Sequence, residues 1–178
     1  MGARTLRLPV ITQIEFKGVK LIIMDSPSKQ SVPYFVEECS RLHVTDIVRV
    51  CEDRYPTEDF EKAGIKVHHW EFSDGSPPPD NILEEWFKLL RFRFTDSSGK
   101  TPKQMSAGFV AVHCLAGYGR APVLVAVALM ELGMPCADTI ELIRSKRKGS
   151  FNDRQLAYLM SYHPKSRLKR STTQCSTM

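Results

Sequence analysis

The sequence lacks any apolar run long enough to cross a membrane, and its opening residues, MGARTL, hold no apolar signal core. Neither a spanning segment nor an export leader is therefore expected. Leu6 stands where a myristoylation site carries Ser or Thr, which argues against lipidation at Gly2. No cysteines pair as CxxC. The five of them, Cys39, Cys51, Cys114, Cys136 and Cys175, are odd in number and scattered. That excludes a disulfide framework and a zinc-finger pattern, and it favours a reducing compartment. No metal and no cofactor are expected. No internal repeat is present.

Acidic residues are scarce toward the end of the chain. The net charge is +5, and between Arg144 and Arg170 only Asp153 opposes a dense set of Lys and Arg. Such a block is either a solvated face, above all in RSKRK, or a patch for an anionic partner: lipid headgroups, phosphate or nucleic acid. With 178 residues, 42% of them hydrophobic, the chain can bury one real core.

Strand and helix signals alternate. TQIEFKGVKLIIMD reads as two strands joined at Lys17-Gly18. SVPYFVEECSRL reads as a helix capped by Ser31, and TDIVRV as a central strand. TEDFEKAG is a short helix stopped at Gly64, and IKVHHW another strand. SDGSPPPD is a loop, after which Ile82, Leu83, Trp86, Leu89 and Leu90 share one helical face. A polar loop from Thr95 to Gly108 leads to the strand FVAVHC. Helices are predicted from Arg120 to Leu132, about Ala137 to Lys148, and Asp153 to Tyr162, the last with an Asn152/Gln155 capping box. This pattern predicts an α/β fold: a central, mostly parallel sheet flanked by helices. The expected organisation is an arm at 1–9, a catalytic domain at 10–163 and a mobile basic tail at 164–178.

Sites in such sheets form at the carboxyl ends of strands, and Cys114 lies one residue past an apolar strand. In HCLAGYGR, Gly117 and Gly119 let the backbone wind so that successive N–H groups face one anion. Arg120 adds a planar fork for two phosphate oxygens. The helix that follows favours the thiolate, and His113 holds the loop and favours it further. A solitary cysteine would be only a small buried apolar residue. The whole set predicts a nucleophile beside a bound tetrahedral oxyanion and a phosphocysteine intermediate. The general acid must come from another loop. EFSDGSPPP offers Asp74, although a loop aspartate is ordinarily a turn former.

HCLAGYGR fits H-C-x5-R, and on it the chain resembles the protein tyrosine phosphatase superfamily. VRVCE, GRAPVLVAVAL and GSFNDRQLAYL narrow the resemblance to the small prenylated phosphatases of regenerating liver, across residues 10–170. The resemblance implies a dual-specificity-phosphatase-like fold with Cys114 as nucleophile and Arg120 as phosphate clamp. Leu115, Ala116, Gly117, Tyr118 and Gly119 would form the cradle, and Asp74 would be the general acid. It implies that Cys51 forms a reversible disulfide with Cys114, guarding against over-oxidation. Ala121 stands where most relatives carry Ser or Thr, which implies slow breakdown of the phosphocysteine. Leu115, Ala116 and Tyr118 are not basic, unlike the loops of inositide-specific relatives. Glu71 replaces the proline usual before the aromatic of the acid loop.

Cys175-Ser176-Thr177-Met178 resembles a farnesylation box, with Lys165, Arg167, Lys169 and Arg170 as the second membrane signal. The implied location is the cytoplasmic face of the plasma membrane or endomembranes, and the cytosol when the chain is not prenylated. The expected function is a slow protein tyrosine or dual-specificity phosphatase acting on a phosphorylated protein. The alternative is a binding module that regulates cyclin-M-type magnesium transporters through the same pocket. Homo-oligomerisation stays open. Nucleic-acid binding would explain the basic stretch alone and is not expected, and a rhodanese-type sulfur transferase would leave Asp74, His113 and the terminal box unexplained.

Overall fold

The computed structural model describes residues 8–95 and 108–169. Strands β1 (Ile11–Phe16) and β2 (Val19–Met24) are joined at Lys17-Gly18, as the sequence predicts. Both turn residues have positive φ, 48° and 83°, the backbone that a two-residue hairpin needs to match the twist of its strands. Three more strands, β3 (Val44–Arg49), β4 (Lys66–His69) and β5 (Phe109–His113), complete one sheet in the order β1-β2-β5-β3-β4. Only β1 runs antiparallel to its neighbour.

TDIVRV is a central strand as expected, paired on both sides as β3, and β5 takes the middle position. A middle strand is covered on both faces, and Phe109, Val110, Ala111 and Val112 present only apolar side chains. TDIVRV lies beside it as β3, and it carries Asp46 and Arg49, each of which needs polar partners when buried.

Helices α1 (Val32–Arg41) and α2 (Glu58–Lys62) cover one face. The other face holds α3 (Asp80–Phe94), α4 (Arg120–Glu131), α5 (Cys136–Lys146) and α6 (Asp153–Ser161). Every residue of α4 is buried, so it is the axis of that layer. Trp86 of α3 packs on it and donates its indole N–H to Leu124 O at 2.9 Å.

Two local expectations change. Ser31 precedes α1 but its side chain caps nothing there; its Oγ accepts the Ser28 N–H at 2.8 Å instead. Its own helical φ and ψ turn the hydroxyl away from the helix N–H groups. Asn152, in extended geometry, does form the predicted capping box with Gln155.

The second change concerns the tail. From Pro164 to Lys169 the chain lies against the domain rather than hanging free. Glu131, wholly buried, accepts Tyr162 Oη at 2.6 Å, the Lys165 N–H at 3.1 Å and the Arg167 N–H at 2.7 Å. Burial alone would push its carboxyl up, but these donors and the Arg167 charge outweigh that and hold it low. Leu168 then buries its side chain in the core. One buried carboxylate therefore ties down the segment. Cys175 and Arg170, the first seven residues and most of the Thr95–Gly108 loop lie outside the described residues.

Candidate active site

The middle strand ends at His113 and α4 begins at Arg120, so residues 114–119 turn in the crevice beyond the strand ends. Gly117 has φ of 75°. A Cβ there would collide with the Arg147 guanidinium and lie 2.8 Å from Met24 O. At Gly119 a Cβ would sit 2.7 Å from Gln155 Nε2. The two glycines predicted to let the loop wind tightly are thus also demanded by what packs behind it. Cys114 is 4% exposed and lines a cavity of about 310 Å³ together with Asp74, Leu115, Ala116, Tyr118, Gly119 and Arg120.

Arg120 is almost wholly buried. Its Nη1 donates to Phe72 O at 3.0 Å and to Val50 O at 3.4 Å. Its buried Nε has no hydrogen-bond partner among the described residues, and the exposed Asp74 carboxylate stands 3.6 Å from it. An unsatisfied buried N–H on a cation is costly. Arg120 lines the same cavity as Cys114, and an anion bound there could satisfy that N–H. The geometry brings Asp74, Cys114 and Arg120 to one cavity, as the sequence reading required. The anchor on Phe72 O also links the clamp to the loop that carries Asp74.

His113 does not line the cavity. Its Nδ1 is 3.1 Å from Cys114 O, and a carbonyl only accepts, so Nδ1 carries the proton. Nε2 then accepts from Tyr55 Oη at 2.6 Å. Burial foremost lowers the imidazole to about pKa 4. The ring is therefore neutral near pH 7 and fixes the backbone of the nucleophile without lending it positive charge. This corrects the expectation that His113 itself favours the thiolate. The cations around the sulfur are Arg120 and Arg147.

Cys51 lies at the carboxyl end of β3, fully buried, with its Sγ 3.9 Å from His113 Nδ1. Burial pushes its thiol up, Arg120 opposes this, and Cys114 adds to it. Both thiols are free. The sequence could not say that the two cysteines are neighbours, whereas the parallel pairing of β3 with β5 places both strand ends side by side.

Several residues of the site escape sequence reasoning. Arg147 reads as one of a solvated basic run, yet it is 4% exposed. Its guanidinium donates to Gly117 O at 2.6 Å and Ala116 O at 3.2 Å, and on its other side to Thr12 Oγ1 at 3.2 Å and Val10 O at 3.4 Å. Drawing two loop carbonyls outward leaves the loop free to turn its N–H groups inward. Tyr118 stacks beneath the same guanidinium, 4.9 Å from ring centroid to Cζ. Asn152 and Gln155, read only as a helix cap, also wall the cavity with Phe151. Tyr55 carries no sequence signal at all, since its role depends on a partner 58 residues away.

No protein-family model matches the chain. Among curated proteins, protein tyrosine phosphatase type IVA 3 of Bos taurus is 43% identical over 161 residues, 90% of this chain and 88% of that one. PRL-1 phosphatase of Drosophila melanogaster is also 43% identical, over 90% of this chain and 87% of its own. A solved structure from Leishmania major, of a protein named as a protein tyrosine phosphatase, superposes with a TM-score of 0.77. Its identity is 36%, over 86% of this chain and 98% of that one. The kinase associated phosphatase shares the fold at a TM-score of 0.64 and 19% identity, over 87% and 94% of the chains.

Proposed function

The chain belongs to the protein tyrosine phosphatase type IVA family, and we propose that it dephosphorylates proteins through a phosphocysteine on Cys114, finishing each cycle slowly. The observation that carries this reading is the buried, unpartnered Nε of Arg120, a residue that lines the same cavity as Cys114 and Asp74. In the first step the thiolate attacks phosphorus in line. The bond to the leaving oxygen breaks, and protonated Asp74 gives that oxygen its proton. Arg120 Nε and the loop N–H groups hold the three peripheral oxygens as charge moves among them. In the second step water attacks phosphorus, Asp74 takes the water proton, and the thiolate leaves with inorganic phosphate. Ala121, fully buried, offers no hydroxyl to the departing sulfur, which supports a persistent intermediate.

The finer parts of the reading rest on the resemblance and on placement. The neighbouring Cys51 and Cys114 support a reversible disulfide that would switch the enzyme off. The terminal box and basic residues support farnesylation at Cys175 and attachment to an anionic cytoplasmic membrane surface. A persistent phosphocysteine also supports the second role, regulation of cyclin-M-type magnesium transporters, since occupancy of the cavity would then decide partner binding.

The test is intact-protein mass after reaction with an aryl phosphate. The expected result is one phosphoryl group added to the wild type and none to Cys114→Ser. If the chain releases no phosphate and forms no adduct, the enzyme reading is overturned. Retained transporter binding in Asp74→Ala would then favour the binding module.

A further inference from the structure

A second depression adjoins the catalytic cavity. It measures about 420 Å³ and is lined by Ser26, Pro27, Ser28, Lys29, Gln30 and Arg54, with Leu115 as the wall common to both. Leu115 is 44% exposed and stands as a ridge between the two hollows. The ridge is fixed, because the Ser26 N–H donates to Leu115 O at 3.2 Å. Lys29 and Arg54 are exposed, and neither enters an ion pair among the described residues. Two of the acids nearest in the chain are engaged elsewhere. Asp25 Oδ1 accepts the Val10 N–H at 3.0 Å, and Asp53 Oδ1 pairs with Arg49 at 3.1 Å.

We propose that this hollow is an anion subsite that selects phosphoprotein substrates carrying a second acidic group close to the phosphotyrosine. The proposal rests on the phosphatase reading of the neighbouring cavity. The phosphorylated side chain enters beside Cys114, the substrate backbone crosses Leu115, and the acidic group meets Lys29 and Arg54. The two hollows share Leu115 as a wall, so the acidic group lies close in sequence to the phosphotyrosine. Its chemistry is a carboxylate or a second phosphate. The walls, a methylene-rich Lys stem, Pro27 and serine hydroxyls, suit a short polar side chain rather than a large apolar one.

Phosphotyrosine peptides with Ala, Glu or phosphoserine at each of the three positions on either side of the phosphotyrosine test this. With wild type, kcat/KM for an acidic peptide should exceed that for the Ala peptide about three- to ten-fold, and the gain should shrink at high salt. A larger gain for phosphoserine than for glutamate marks a phosphate subsite; equal gains mark a carboxylate subsite. In Lys29→Ala/Arg54→Ala the preference should vanish, and in Lys29→Glu/Arg54→Glu it should reverse. Turnover of a small aryl phosphate should stay at the wild-type level in both variants. Wild type that cleaves the aryl phosphate but shows no acidic preference, or a preference that survives charge reversal, overturns the proposal. Failure on the aryl phosphate itself would instead overturn the phosphatase reading.

Discussion

Acidification should unfold this protein partly through His113. The ring is wholly buried, donates to Cys114 O and accepts from Tyr55. Its folded pKa is about 4, against 6.5 in an unfolded chain. Between those values the unfolded chain takes up a proton that the folded one refuses. The stabilisation is thus complete above pH 6.5 and is lost as pH falls toward 4. At about 1.4 kcal/mol for each pH unit, the whole window is worth about 3 kcal/mol. Urea unfolding at half-unit steps from pH 7 to pH 4.5, for wild type and His113→Asn, measures it. The amide nitrogen of asparagine can replace the donor to Cys114 O without titrating. The wild-type stability should fall more steeply than that of the variant by about one proton's slope, roughly 1.4 kcal/mol per pH unit. Parallel slopes in the two proteins would refute the reasoning, since no buried neutral imidazole would then be present.

Arg147→Met should leave a folded protein whose kcat/KM on an aryl phosphate drops at least ten-fold, because Ala116 O and Gly117 O lose their donor. Urea unfolding should show a cost of about 2–4 kcal/mol for removing a buried cation with four hydrogen bonds; unchanged activity would show that the loop keeps its shape without it. Ala121→Ser should speed breakdown of the phosphocysteine about ten-fold, the worth of one hydrogen bond to developing charge. Rapid-quench measurement of adduct decay reads this directly, and an unaltered decay rate would place the slow step elsewhere.

The sequence carried the alternation of elements and the heart of the site because both are local. HCLAGYGR is one contiguous stretch, and Gly117, at φ 75°, supplies its tight turn. Asp74 could be singled out only as an acid in the right kind of loop, and the cavity adds its position 3.6 Å from Arg120 Nε. Arg147 was illegible because it sits among Arg144, Lys146 and Lys148, and only the returning chain decides which of four cations is buried. Tyr55 was illegible for the same reason. The β-branched content of TDIVRV marks it as an interior strand, which β3 is, whereas the full strand order depends on which faces the helices cover.

The Arg147 guanidinium joins Val10, near the start of the described chain, to a loop 31 residues before itself, across a separation from Val10 of 137 residues. The same loop needs Phe72 to hold Arg120 and Gln155 to wall the cavity. Contacts of such long sequence separation form late, since loop closure must precede them. A nascent chain still short of α6 therefore holds its reactive thiol in an unfinished cradle, and competence to handle phosphate arrives with the last contacts of folding.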